Sequence, residues 1–158
     1  YLGSHDDAVK SFDETYRIID SNFIGHVSIL NIIASDMEAR RNGTIIGVSS
    51  VAGERGRKSN YIYGSAKAGF TAYLSGLRNR LCSSGVHVVT VLPGFINTKM
   101  TKGLPLPKPV TAQPADVAKA IWSAYEKKKN QLFVLPIWKW IMLVIKNIPE
   151  SIFKRMSL

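Results

Sequence analysis

The sequence predicts an α/β fold, a doubly wound parallel sheet with helices on its faces. Two β-branched runs, residues 44–49 and 86–92, are nearly continuously apolar instead of alternating, which is how strands covered on both faces read. Between them lies a helix-length segment whose apolar residues recur at three- and four-residue steps. Turn residues, Asn42-Gly43, Ser83-Ser84-Gly85 and Pro93-Gly94, close the first helical region, the helix and the second strand.

Taken in order, Ser11-Phe-Asp-Glu14 reads as a capping box that opens a helix. That helical region continues to about Arg41 with Ile19, Phe23, Val27, Leu30 and Met37 on one stripe, and Asn22 and Gly25 interrupt it. After the first strand and a Gly-containing loop, a second helix is expected over 63–82 with Ala66, Phe70, Leu74, Leu77 and Leu81 facing the core. Residues 99–113, with Pro105, Pro107 and Pro109 at alternate positions, read as a loop too punctuated for regular structure and of a length often used as a lid. A helix over 113–128 that starts with Pro114 and a short strand over 132–135 complete an open sheet pattern that lacks its beginning.

The length of 158 residues suits one domain, divided here into a catalytic part, 1–135, and an apolar, basic tail, 136–158. Because the chain opens on Tyr1 with no basic and apolar leader, it reads as part of a longer protein. A single cysteine, Cys82, cannot pair internally and reads as a helix-end packing residue; a reducing, cytoplasmic setting follows. The formal charge of +10 asks for an anionic partner. No basic run carries interleaved aromatics, so nucleic acid is not that partner, and Lys127 to Lys129 sit where cations favour a helix C-terminus. His5, His26 and His87 share no spacing and are assigned neither to catalysis nor to metal.

The chemistry sits between the two strands. A tyrosine four positions before a lysine occurs twice, at Tyr63/Lys67 and Tyr125/Lys129, and is an ordinary helical pair. Only the first also has a serine thirteen positions upstream, Ser50; the second has Ala112 there. Ser50 ends one strand and Pro93-Gly94 ends the next, so parallel strands bring both to the sheet edge where open α/β folds bind ligands. A tyrosine ordinarily titrates near pH 10, and the Lys67 ammonium is expected to lower that value so that Tyr63 trades protons near neutrality. Ser50 would hold the reacting oxygen beside it.

At these residues the sequence resembles the classical short-chain dehydrogenases/reductases, from about Ser11 to Leu135. Asn22-Phe-Ile-Gly25, Gly47-Val-Ser-Ser50-Val-Ala-Gly53, Tyr63-Gly-Ser-Ala-Lys67 and Pro93-Gly-Phe-Ile-Asn-Thr98 are similar to four of its motifs, in order. The resemblance implies a Rossmann-like sheet and hydride transfer between NAD or NADP and a carbonyl or alcohol. It makes Tyr63 the general acid/base, Lys67 its partner and a ribose ligand, Ser50 the substrate-orienting residue and Asn22 the support of the proton relay. Pro93, Gly94, Ile96 and Thr98 would meet the nicotinamide and phosphates. The family's glycine-rich loop, the residue that separates NAD from NADP and the Asn-Asn-Ala-Gly motif have no counterpart here, so the N-terminal βαβ units are expected to be absent and this chain alone to be inactive.

The opening Tyr1-Leu-Gly-Ser-His-Asp-Asp and the tail are similar to the branch that reduces keto sugars on polyprenyl phosphates, which implies a lipid-linked substrate beside the small-molecule alternative. The apolar segment 132–145 is short for a bilayer span, and Trp138 and Trp140 with Lys139, Lys146, Lys154 and Arg155 suit a peripheral anchor on anionic lipid. The other reading is that Trp138, Ile141, Leu143 and Ile145 cap the substrate pocket or a dimer contact. Arg55, Arg57 and Lys58 lie near the site mouth; exposed loop charge is favoured over contact with a substrate phosphate. The resemblance implies a homodimer or homotetramer, with Phe70, Tyr73 and Leu77 as the outward contact. A non-catalytic oligomerisation or membrane-docking role is the alternative function.

Overall fold

Three parallel strands carry the fold in the computed structural model, which describes residues 1–157. The short helix α1 (His5–Ala8) is followed by α2 (Phe12–Ile19), a π-helical turn (Asp20–Ile24) and α3 (Gly25–Arg40) as one continuous helical stretch. Then come β1 (Gly43–Val48), α4 (Tyr61–Leu81) and β2 (Val86–Leu92). The two-residue strands β3 (Phe95–Ile96) and β4 (Thr111–Ala112) precede α5 (Pro114–Glu126), β5 (Gln131–Phe133), α6 (Ile137–Asn147) and α7 (Glu150–Phe153). The sheet order is β1-β2-β5, all parallel, with Gly43 opposite Val86 and Val48 opposite Val91.

Alternation along β2 builds two cores. Val86 and Val88 face α3 and α4 with Phe70, Leu74, Leu77 and Leu81, while Val89 and Val91 face the other way, toward Val117, Ala124 and Leu132. Covered on both faces, β2 matches its continuous apolar run. The first strand does not: Ile45 is buried, but Ile46 and Val48 are 38% and 45% exposed, because α5 packs on β2 and β5 and nothing described covers that face of β1.

Several expectations change in detail. Ser11 is the N-cap of α2, but its side chain makes no capping bond, and Glu14 accepts instead from the Tyr1 hydroxyl at 2.6 Å and the Ser4 N–H at 3.4 Å. The interruption at Asn22 is the π-helical turn, which turns the Asn22 side chain inward to donate to the carbonyls of Ile18 and Tyr1. The segment 99–113 is more ordered than its prolines suggest. Two single 3₁₀ turns, Lys99–Thr101 and Lys108–Val110, lead into β4, which pairs in parallel with β3.

The stretch Phe12–Arg40 is long and apolar enough to cross a bilayer by length and composition. Its inner side nevertheless packs on α4 through Ala34, which the sequence stripe omits, and through Phe23, Leu30 and Met37 of that stripe. The outward contact assigned to α4 is corrected: Phe70 and Leu77 are core residues, 1% and 5% exposed, and only Tyr73 of the three reaches the surface. The unpartnered apolar face lies on α3 instead, with Ile29 and Ile32 at 60% and 74% exposure.

Candidate active site

The ladder between β1 and β2 runs on past the strands: the Ser49 N–H donates to the Val91 carbonyl at 2.8 Å and the Val51 N–H to the Pro93 carbonyl at 3.0 Å. Ser50 and Pro93-Gly94 are thus held side by side at the carboxyl edge of the sheet, as the strand pattern requires. A 3₁₀ turn, Val51–Gly53, follows Ser50, and its N–H of Ala52 donates to the Ser50 hydroxyl oxygen at 3.1 Å. That acceptor role leaves the Ser50 proton free to point elsewhere.

The 3₁₀ turn is pressed against α4 at two glycines. A Cβ on Gly53 would stand 2.6 Å from the Ala68 backbone nitrogen, and one on Gly64 would stand 2.9 Å from the Ala52 carbonyl oxygen. Backbone therefore meets backbone at both positions, and the segment with Ser50 can lie directly on the helix turn that carries Tyr63 and Lys67. Ser49 fastens the same contact from below: buried, it donates to the Lys67 carbonyl at 2.9 Å and shares a 2.7 Å bond with the Thr71 hydroxyl.

A cavity of about 480 Å³ opens over this edge, and Asn22, Ser50, Tyr63, Lys67, Pro93, Gly94, Ile96 and Thr98 all line it. The structure thus brings together every residue that the sequence assigns to catalysis or cofactor binding. Asn22 is 3% exposed and Lys67 7%. The Lys67 ammonium donates to the Val48 carbonyl at 3.2 Å and lies 5.8 Å from the centre of the Tyr63 ring. Thr98 caps the Lys99–Thr101 turn reciprocally with Thr101.

The electrostatics depart from expectation. Burial pushes the Tyr63 phenol above its ordinary value, and a hydrogen bond with Ser50 only partly offsets this. Burial also holds the Lys67 ammonium below its ordinary value. The predicted lowering of Tyr63 by Lys67 is absent in this arrangement: the lysine turns to the Val48 carbonyl and is itself stripped of water.

Three other residues, Trp138, His26 and Arg57, shape the site. Trp138, in the tail, is 6% exposed, donates from Nε1 to the Val110 carbonyl at 3.0 Å, meets Phe95 edge-on, and lies against Gly94 so closely that a Cβ there would fall 1.9 Å from its ring. Of the tail residues read as a pocket cap, Trp138 lines the cavity, while Leu143 stays 52% exposed. His26 joins the lining, and its imidazole is held below its usual value by burial and by the Lys67 charge. The loop cations do not behave alike. Arg55 is tied to the tail, Arg57 lines the cavity and Lys58 is exposed, so the reading of all three as exposed loop charge holds for Lys58 alone. No sequence spacing marks Trp138 or Arg57, because their contacts cross from distant segments or from an irregular loop.

The comparisons with known proteins fall on this framework. A family model described as short chain dehydrogenase matches residues 3–108. An uncharacterised oxidoreductase of Mycobacterium tuberculosis is 32% identical over 155 residues, covering 98% of this chain and 62% of the relative. The 3-oxoacyl-[acyl-carrier-protein] reductase of Chlamydia muridarum is 34% identical over 94 residues, or 60% of this chain and 38% of the relative. This chain therefore spans less than two thirds of these relatives. Among solved structures, a short-chain dehydrogenase from Burkholderia cenocepacia in complex with NADP superposes with a TM-score of 0.80 over 94% of this chain and 61% of its own, at 20% identity, a likeness of fold. Since the family match takes in the strand end at Ser50, the Tyr63/Lys67 helix turn and the Pro93-Gly94 edge, the chain belongs to the short-chain dehydrogenase family.

Proposed function

We propose that the protein is an oxidoreductase that moves hydride between NAD or NADP and a carbonyl or alcohol carbon, with Tyr63 as general acid/base. The observation that carries this is the meeting of the Ser50 and Tyr63 hydroxyls and the Lys67 ammonium in one cavity at the sheet's carboxyl edge. The relatives described as oxidoreductases and 3-oxoacyl reductases support the reaction class, and the NADP complex of the Burkholderia structure supports the cofactor class.

The donor set fits a nicotinamide nucleotide. Tyr63 and Lys67 offer a hydroxyl and an ammonium suited to a ribose diol, and Pro93, Gly94, Phe95 and Ile96 form an apolar wall suited to an aromatic face. No Asp or Glu is among the described residues that line the cavity, so nothing there repels a phosphate. When bound, the nicotinamide supplies or accepts the hydride. Thr98 lies at the same edge for the phosphate side. For carbonyl reduction the phenol, kept protonated by its burial, gives its proton to the substrate oxygen, to which the Ser50 O–H turns from the Tyr63 oxygen. Lys67, whose ammonium lies 5.8 Å from the centre of the Tyr63 ring, is the nearby acid able to return a proton to the phenolate, and the buried Asn22 lines the same cavity.

Tyr63→Phe in the full-length protein is expected to remove turnover by about 10²-fold or more while NAD(P)H binding persists. Turnover retained at the wild-type rate would refute the assignment. Assaying both nucleotides with a panel of ketones gives the cofactor preference.

The surface of the tail favours a second, compatible reading, peripheral attachment of a cytoplasmic protein to anionic membrane with a lipid-linked substrate. Trp140, Val144 and Ile152 are 63%, 66% and 55% exposed, beside Lys139, Lys154 and Arg155. Co-sedimentation with phosphatidylserine vesicles, compared with a chain ending at Pro136, tests it; equal partition of both would refute it. The exposed α3 isoleucines fit a homodimer or homotetramer contact, and a monomer in sedimentation equilibrium would refute that.

A further inference from the structure

We propose that Arg57 recognises an anionic group on the substrate, a carboxylate or a phosphate, and so sets the substrate class of the site. This rests on the hydride-transfer reading for the identity of the site, and the argument for the anion is separate from it. Three arginines are partly buried: Arg55, Arg57 and Arg78. Arg78 donates to the Val88 and Asn130 carbonyls and the Thr90 hydroxyl, and Arg55 donates to the Ile145 and Ile148 carbonyls and pairs with Glu150. Among the described residues the Arg57 guanidinium has no hydrogen bond or ion pair, and its Nε is buried without a partner.

A guanidinium cannot relieve burial by losing its proton near neutrality, so an unpaired one held partly out of water waits for an anion. Its surroundings agree. Arg57 shares the cavity with Lys67, and no carboxylate side chain of the described residues lines it. Burial pushes the guanidinium below its ordinary value with no opposing acid, which is the electrostatic face of the same vacancy of charge. Beside it the Asn60 amide oxygen is also buried without a partner and also lines the cavity, an acceptor suited to a hydroxyl on the same ligand.

Placement separates this anion from the cofactor. Arg57 lies on the segment that joins Ser50 to Tyr63, the two hydroxyls that hold the reacting oxygen, whereas Ile96 and Thr98 come from the end of the next strand. One short stretch thus carries both the reacting end and the charged end of the recognition. A planar fork of donors is suited to two-point contact with either oxyanion.

The test uses the full-length protein and matched ketones: a 3-keto acid against its methyl ester, and a hydroxyketone phosphate against the unphosphorylated hydroxyketone. The wild type is expected to favour the charged member of at least one pair by about tenfold or more in kcat/KM, and which pair responds distinguishes carboxylate from phosphate. Arg57→Gln should bring that ratio close to one, and Arg57→Lys should restore part of it. Titration calorimetry with benzoate and phenyl phosphate against benzamide and phenol gives a readout without turnover, with the same preference expected and the same loss in Arg57→Gln. If no ketone is reduced, the hydride-transfer reading fails and calorimetry still decides the role of Arg57. Equal handling of charged and neutral partners by wild type and variant, or an effect of Arg57→Gln confined to the dissociation constant of the nucleotide, would overturn the proposal.

Discussion

The cavity has two walls built in opposite ways. One, Ser50 through Lys67, is a local structure: a strand end, a 3₁₀ turn and a helix within one short stretch, set by backbone contacts at Gly53 and Gly64. The other is assembled from afar, with Trp138 of α6 against Gly94 and Phe95 of the β2 edge and bonded to Val110. The first wall fixes the proposed reacting groups relative to each other, and the second closes the space around them. Damage to the second should therefore cost stability first, and damage to the first should cost turnover first.

Trp138→Ala is the largest test of that difference. It removes a ring that is 6% exposed and forms a cluster with Val51, Leu92 and Met142. The expected loss is about 3–5 kcal/mol by urea denaturation. At temperatures where the variant stays folded, kcat should fall less than KM rises. A variant as stable as the wild type would show that the tail is not part of the core.

Gly53→Ala probes the first wall. The new methyl meets the backbone of Lys67 and Ala68, which cannot turn away as a side chain can, so α4 must shift under Tyr63 and Lys67. A stability loss of about 1–3 kcal/mol is expected from overpacking. Turnover should fall by about 100-fold, since small misplacements of reacting groups are costly. If stability fell without a comparable loss of kcat, the two walls would not differ as argued. Arg55→Met comes next: the guanidinium bonds the Ile145 and Ile148 carbonyls and stacks on Phe153 at 3.6 Å, linking the loop after Ser50 to the tail. Its partner Glu150 is largely exposed and contributes little. A loss of about 1–2 kcal/mol and faster proteolysis after residue 147 are expected, because the carbonyl bonds are charge-assisted.

The same contrast explains what the sequence could tell. Ser50, Tyr63 and Lys67 were legible because helix and strand geometry convert fixed spacings into fixed neighbours. Asn22 and the Pro93-Gly94 edge were legible because each interrupts a periodic segment. The stripe on α3 likewise marked its buried side. Arg57 and Trp138 were legible only as alternatives, one as a loop cation near the site mouth and the other as a pocket cap, since an irregular loop and a helix packed from far along the chain leave no period to decide between readings. The outward face was misplaced on α4 because Phe70 and Leu77 fit both a buried and an exposed stripe until the position of β2 decides between them. The Tyr63 pKa was misjudged for a related reason: spacing shows that Lys67 is near and does not show that burial acts on both groups.

That last point yields the smallest and most diagnostic effect. Lys67 is held below its ordinary 10.5, so the folded chain releases that proton before the unfolded chain does, and its contribution to stability rises with pH up to about 10.5. Tyr63 is held above its ordinary 10.0, so the folded chain keeps that proton longer, and its contribution is full below pH 10 and falls away above it. The two slopes oppose each other near pH 10. In urea midpoints between pH 8 and 11, Lys67→Met should remove the rise and Tyr63→Phe the fall, each measured against the wild type. The same phenol, protonated well past neutrality, predicts that kcat/KM for carbonyl reduction stays level with pH up to about 10. A decline centred near pH 7 to 8 that disappears in Lys67→Met would show that the ammonium outweighs burial in the working enzyme, and that the arrangement with Lys67 on the Val48 carbonyl gives way to one aimed at Tyr63.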